Sequence, residues 1–216
     1  MAKAAAKTGT GPAALVAIEQ FYPENIRILS DPFQYRLLPG VLKFMVSMVR
    51  PKFMLNWMVD MAAKSAPGLW GGLLCRKRYI DEKLSESAGK IQQIVNLVAG
   101  LDTRLFRLPE VAGIPAWELD QPDNIAYKRR AISKLPVKPP ESVKLIPIDF
   151  DTQSLRETLR AAGYLPSVPT FFIWEAVTQY LTLAGIQTVC KNRSLALWHG
   201  TRGLAGLFGR VWLEGY

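Results

Sequence analysis

The sequence predicts an α/β fold: a mostly parallel sheet with helices between its strands, preceded by a helical cap. Three observations predict it. Four short apolar runs of strand length fall at 91–98, 114–119, 143–148 and 169–174. An apolar run bounded by glycine or proline suits a parallel strand buried on both faces. The first run passes through Ala99-Gly100 into Asp102-Thr103, and the next three end on acids at Asp120, Asp149 and Glu175. Ligands in open α/β sheets bind beyond the carboxyl ends of the strands, so these features would share one crevice.

Composition removes several function classes. The 216 residues suffice for one core, or a core with a small cap. With 49% hydrophobic and 21% charged residues the chain is globular. Two cysteines, Cys75 and Cys190, and one histidine, His199, are too few for a disulfide framework, a zinc site or a histidine-based triad. No metal is expected. The net charge of +9 is uneven: residues 1–90 carry 13 Lys/Arg against 7 Asp/Glu, residues 91–185 carry 10 against 10, and residues 186–216 carry 4 against 1. A basic flank can meet nucleic acid or an anionic membrane, but a solvated face is the commoner use. Nucleic acid is not the expected partner.

Residues 1–12 form an Ala/Lys/Gly-rich start without the apolar core of a signal peptide, so a cytoplasmic location is expected. Residues 13–21 have helical spacing, which Pro23 and Asp31-Pro32 interrupt. Residues 33–61 are dense in bulky apolar side chains, and Arg50-Pro51 divides two predicted helices. Lys43, Arg50 and Lys52 interrupt this stretch too often for a membrane span. It could pack on the sheet, cover an apolar substrate pocket, or touch a membrane peripherally. Residues 65–72, with Pro67 and three glycines, are expected to form a loop. The charged segment Arg76–Leu84 reads as a helix with i,i+4 pairs, or as the source of an arginine for a carboxylate-bearing ligand.

The corner at 91–104 then anchors the rest. Asp102 or Thr103 can cap a following helix. An ordinary strand–helix junction and a nucleotide-binding corner are both compatible with it. Asp120 lies about 20 residues past Gly100, where a carboxylate can accept from ribose hydroxyls. A helix opens at Gln121-Pro122-Asp123, another is spaced by Leu155, Leu159 and Ala162, and a last one is expected over 176–181. The three strand-end acids suit a ligand with several hydroxyl and amine donors, such as a nucleoside with a cationic aminoacyl tail.

Asn96–Arg104 with Phe106-Arg107-Leu108, Glu118–Pro122, Ile148-Asp149-Phe150, Phe172–Glu175 and Tyr180-Leu181 together resemble the leucine carboxyl methyltransferase family. The bacterial-type branch of S-adenosylmethionine (SAM)-dependent O-methyltransferases is the nearest likeness. Asp31-Pro32-Phe33 and Arg78–Asp81 resemble its N-terminal part. The resemblance covers roughly residues 13–185. It implies a Rossmann-like class I SAM methyltransferase fold, with a helical cap over 1–88 and a SAM-binding core over 89–189. By the same resemblance Gly100 lies against the methionine end of SAM. Asp120 holds the ribose, with Glu118 the alternative, and Asp149 and the Phe150 backbone face the adenine. Glu175 approaches the sulfonium or amino group, and Arg78 pairs with the methionyl carboxylate. The implied partner is a small-molecule methyl acceptor with a carboxylate or hydroxyl, and no residue is nominated as catalytic.

Two departures qualify the resemblance. Val98 stands where the family turn has glycine, and a β-branched residue resists the backbone geometry that glycine permits. Residues 190–216 show no clear strand–helix alternation and read as an atypical, non-native tail from truncation or a frame shift, with a divergent ending as the alternative. The expected sheet is then incomplete, with the fourth strand's flank open. An inactive relative serving as an interaction module is therefore the alternative function. The turn lacks G-x-G-x-x-G spacing, which disfavours a nicotinamide dehydrogenase.

Overall fold

The computed structural model describes residues 10–136, 138–150 and 152–175, and the backbone of 210–213. Among the described residues, five α-helices come first: α1 (Thr10–Glu19), the single turn α2 (Gln34–Leu37), α3 (Gly40–Met48), α4 (Lys52–Ser65) and α5 (Leu69–Ser87). Then follow β1 (Gln93–Leu97), the short α6 (Arg104–Arg107), β2 (Ala116–Asp120), α7 (Pro122–Ile132), β3 (Val143–Pro147), α8 (Leu155–Ala161), β4 (Thr170–Trp174) and β5 (Arg210–Leu213). Pro51 separates α3 from α4 by standing just before the first residue of α4, where its missing N–H costs nothing.

The expected loop over 65–72 is shorter than predicted. Pro67 does break the chain, but Trp70, Gly71 and Gly72 lie inside α5, a helix of 19 residues. Glycine disfavours a helix by only about 1 kcal/mol per residue. The buried stripe of Leu73, Leu74, Ile80 and Leu84 on the same helix outweighs that.

The strand order is β3-β2-β1-β4-β5. The first four strands are parallel and in the register Leu97↔Leu119 and Leu97↔Trp174, so their carboxyl ends share one edge. The direction of strand addition reverses between β1 and β4, which is the switch point of a doubly wound, Rossmann-like sheet. Alternation along each strand gives the sheet two apolar faces. Ile94, Ala116, Phe171 and Ile173 pack with Ile80 and Leu84 of α5 and Leu105 of α6. Val95, Leu97, Trp117, Leu119, Phe172 and Trp174 pack with Leu155 and Leu159 of α8. All five residues of β1, β2 and β4 are buried, as their apolar runs require.

The flank of β4 is not open as expected. β5 pairs with it antiparallel from Phe171↔Leu213 to Trp174↔Arg210. The helix expected at 176–181 and most of the 190–216 tail lie outside the described residues.

Candidate functional site

The corner after β1 is built by the backbone. Val98 takes φ +55° and Gly100 φ +49°. The Ala99 N–H donates to the Leu119 carbonyl at 3.0 Å, which docks the turn on the end of β2. A Cβ on Gly100 would meet no atom within 4 Å, so the positive φ, not crowding, calls for glycine, and open space lies beside it. Val98 adopts the left-handed region despite its β-branch, a strain on the order of 1–3 kcal/mol. Its half-buried side chain packs against the core cluster of Val95, Leu97 and Trp174, which offsets that strain.

Asp120, at the end of β2, is 1% exposed and closes the corner from the other side. Its Oδ2 accepts from the Gly100 N–H at 2.6 Å, and its Oδ1 from the Gln121 N–H at 2.7 Å and Asn124 Nδ2 at 2.8 Å. A carboxylate offers about four lone-pair positions, so one position stays available for a further donor. The half-buried Asp149 and Phe150 follow β3 on the same edge. The Asp149 N–H donates to Gln153 Oε1 at 2.8 Å, and Phe150 packs on the cluster that also takes Val98.

Glu175, just past β4, sits among three cations. Arg76 Nη2 lies 2.9 Å from Oε1, Lys77 Nζ 3.4 Å from the same oxygen, and Arg104 Nη2 2.9 Å from Oε2. Burial alone would raise the Glu175 pKa, but Lys77, Arg104 and Arg76 outweigh it and hold it at about 2. Asp102 is held well below the ordinary carboxylate range. Burial opposes this, but Arg104, Lys77, Lys128 and the Arg104 N–H prevail. Asp102 Oδ1 accepts that N–H at 2.9 Å, so the aspartate starts α6, while Thr103 in the N-cap position makes no side-chain cap bond.

The cap is latched to this corner. Asp31 accepts from Thr103 Oγ1 and from the N–H groups of Phe33 and Gln34 at 3.1 and 3.0 Å. Gln34 Nε2 donates to the Leu101 carbonyl at 3.2 Å. Arg107 pairs with Asp81 and lies 3.5 Å from Asp31.

The structure thus brings Gly100 and Asp120 into contact and sets Asp149, Phe150 and Glu175 on their edge, but it does not bring Arg78 there. The Arg78 side chain is half exposed, pairs with Glu82 at 2.7 Å, and belongs to the outer face of α5. The inward-lying basic residues of that helix are Arg76 and Lys77. The spacing of Leu73, Leu74, Ile80 and Leu84 already marks the inner face, and Lys77 falls within it whereas Arg78 and Glu82 do not. Glu118 is also outside the crevice, fully buried with Lys128 2.6 Å away between β2 and α7.

The profile of the family described as Leucine carboxyl methyltransferase matches residues 9–193. The chain belongs to that family. It is 31% identical over 183 residues to a protein of Mycolicibacterium gilvum named "Putative S-adenosyl-L-methionine-dependent methyltransferase", covering 84% of this chain and 59% of that one. A Mycobacterium ulcerans protein of the same name is 31% identical over 156 residues, 71% of this chain and 51% of its own. A Mycobacterium bovis protein, also so named, is 28% identical over 219 residues, 99% of this chain and 71% of its own. The chain therefore spans less than two thirds of the length of the first two relatives.

Proposed function

We propose that this chain binds SAM at the edge formed by Gly100, Asp120, Asp149 and Glu175 and transfers its methyl group to an oxygen of a small-molecule acceptor. The observation that carries the reading is the 2.6 Å hydrogen bond from the Gly100 N–H to Asp120. It joins a left-handed glycine corner to a strand-end acid at the switch point, beside open space. SAM, which the names of the relatives specify, supplies an electrophilic methyl on a sulfonium leaving group.

The residues present fit such a ligand. Asp120 retains acceptor capacity for a ribose hydroxyl. Asp149 and the backbone at Phe150, which follow β3 on the same edge, are assigned to the adenine. A methionine end carries both an ammonium and a carboxylate, and Glu175 beside Arg76 offers the opposite charge to each. Arg76 replaces Arg78 in this assignment, because only Arg76 reaches the cluster. Displacement at a methyl carbon is in-line, so holding donor and acceptor in register supplies most of the rate. A carboxylate acceptor has no proton to lose, so no general base is required of the chain.

Isothermal titration of the protein with SAM tests the assignment. Micromolar binding is expected, lost in Asp120→Ala and weakened at least about tenfold in Arg76→Ala, the loss of one charge-assisted hydrogen-bonding group. Arg78→Ala is expected to bind like the parent. Equal weakening by both arginine variants, or no binding by the parent, overturns it.

A further inference from the structure

Residues 40–65 carry two apolar stripes at helical spacing. One, which includes Leu42, Val46, Leu55 and Met58, packs into the cluster beneath α1. The other is turned outward: Phe44 is 66% exposed, Met45 and Met48 56%, Phe53 72%, Trp57 60% and Met61 44%. Scattered exposed apolar residues need no explanation, but six bulky ones on two successive helices exceed what a solvated surface carries.

The charged residues around this stripe are mostly cationic, with exposed Asp60 the one acid among them. Between 40 and 65 the cations are Lys43, Arg50, Lys52 and Lys64. Bulky apolar side chains flanked by lysine and arginine are the composition of a helix that lies in a membrane interface, its apolar side among the acyl chains and its cations at the headgroups. No helix among the described residues is long and apolar enough to cross a membrane, so the contact would be peripheral. A second copy of this chain is a poor occupant. A two-fold contact through this face would oppose the same four cations to themselves, on a chain whose net charge is already +9.

We propose that the outward face of α3 and α4 docks on an anionic bilayer surface, with Phe44, Phe53 and Trp57 entering the interface and Lys52 and Lys64 at the headgroups. The proposal is independent of the SAM assignment, since none of these residues belongs to the sheet edge.

Flotation of the full chain with vesicles tests it. Co-flotation is expected with equimolar phosphatidylcholine and phosphatidylserine, but not with phosphatidylcholine alone. Phe44→Ser/Phe53→Ser and, separately, Lys52→Glu/Lys64→Glu should each lower the bound fraction at least about tenfold. Both pairs are substitutions on the helix exterior, so circular dichroism and Tm should match the parent, and Trp57→Ser provides a second apolar variant. Three results overturn the proposal. One is no flotation with the anionic vesicles, and another is flotation unchanged by either pair. The third is self-association in sedimentation velocity that Phe44→Ser/Phe53→Ser abolishes, without vesicle binding by the parent.

Discussion

Arg104, in the first turn after the β1 corner, places its Nη2 2.9 Å from Glu175 Oε2 at the end of β4. The two residues are 71 positions apart in sequence. The bond closes the crevice edge at the switch point, and the same guanidinium reaches Asp102 at 3.0 Å and Asp81 at 3.4 Å. One fully buried cation therefore serves three carboxylates.

Removing that cation leaves buried negative charge behind. Arg104→Leu is expected to lower stability by about 3–5 kcal/mol, the usual cost of breaking a buried ion pair from one side. Urea unfolding checks it. A loss below about 1 kcal/mol would mean that the cluster behaves as a surface network.

Acid should unfold the protein partly through Glu175. Its folded-state pKa of about 2 lies below the ordinary 4.5, so its contribution is present above pH 4.5 and is lost as pH falls toward 2. The loss is on the order of 3 kcal/mol. Glu118 has the opposite sign: burial pushes its pKa up to about 7 against the pull of Lys128, so its contribution to stability falls as pH rises from 4.5 to 7. Because the two windows adjoin without overlapping, urea unfolding across pH separates them. Glu175→Gln should flatten the acid limb alone, and Glu118→Gln only the limb above it.

At the corner, the left-handed backbone of Val98 means that the shape a glycine would take is already present. Val98→Gly relieves strain on the order of 1–3 kcal/mol but gives up half-buried packing and adds backbone entropy to the unfolded chain. The net change in stability should stay within about 1 kcal/mol. SAM affinity should change by less than about threefold, well under one hydrogen bond's worth. Thermal unfolding and SAM titration of the variant measure both. A large gain in affinity would show instead that the isopropyl group obstructs the ligand.

Strands and site were legible to different depths. Strands β1, β2 and β4 could be read because strands buried on both faces leave continuous apolar runs, β3 showed an apolar run although it is only half buried, and Pro51 marked the break between α3 and α4. Gly71 and Gly72 misled, because breakers announce themselves locally while the buried stripe that overrides them only counts once packed. Gly100 and Asp120 were visible as a glycine corner and a strand-end acid at the expected spacing. The cation cluster was not. Arg76, Lys77, Arg104 and Glu175 come from three segments that the sheet alone brings together, and no short-range spacing encodes that meeting. Which side of α5 a basic residue takes is a different matter, since the spacing of Leu73, Leu74, Ile80 and Leu84 carries it and sets Arg78 on the outer side.

The Glu118–Lys128 pair offers a test of what a buried charge contributes here. Both side chains are fully buried at 2.6 Å, between β2 and α7, and Lys128 Nζ also lies 5.4 Å from the Phe106 ring centroid. Lys128→Met strands the carboxylate and should cost about 3–5 kcal/mol, whereas Glu118→Leu/Lys128→Met removes both desolvation penalties and should recover most of that loss. Unfolding free energies of the two single variants and the double variant give the coupling directly. Recovery in the double variant would assign the pair a role in fixing how α7 sits on the sheet rather than in net stability. A double variant as unstable as the singles would show that the ion pair, with its cation–π contact, is a net stabiliser of the core.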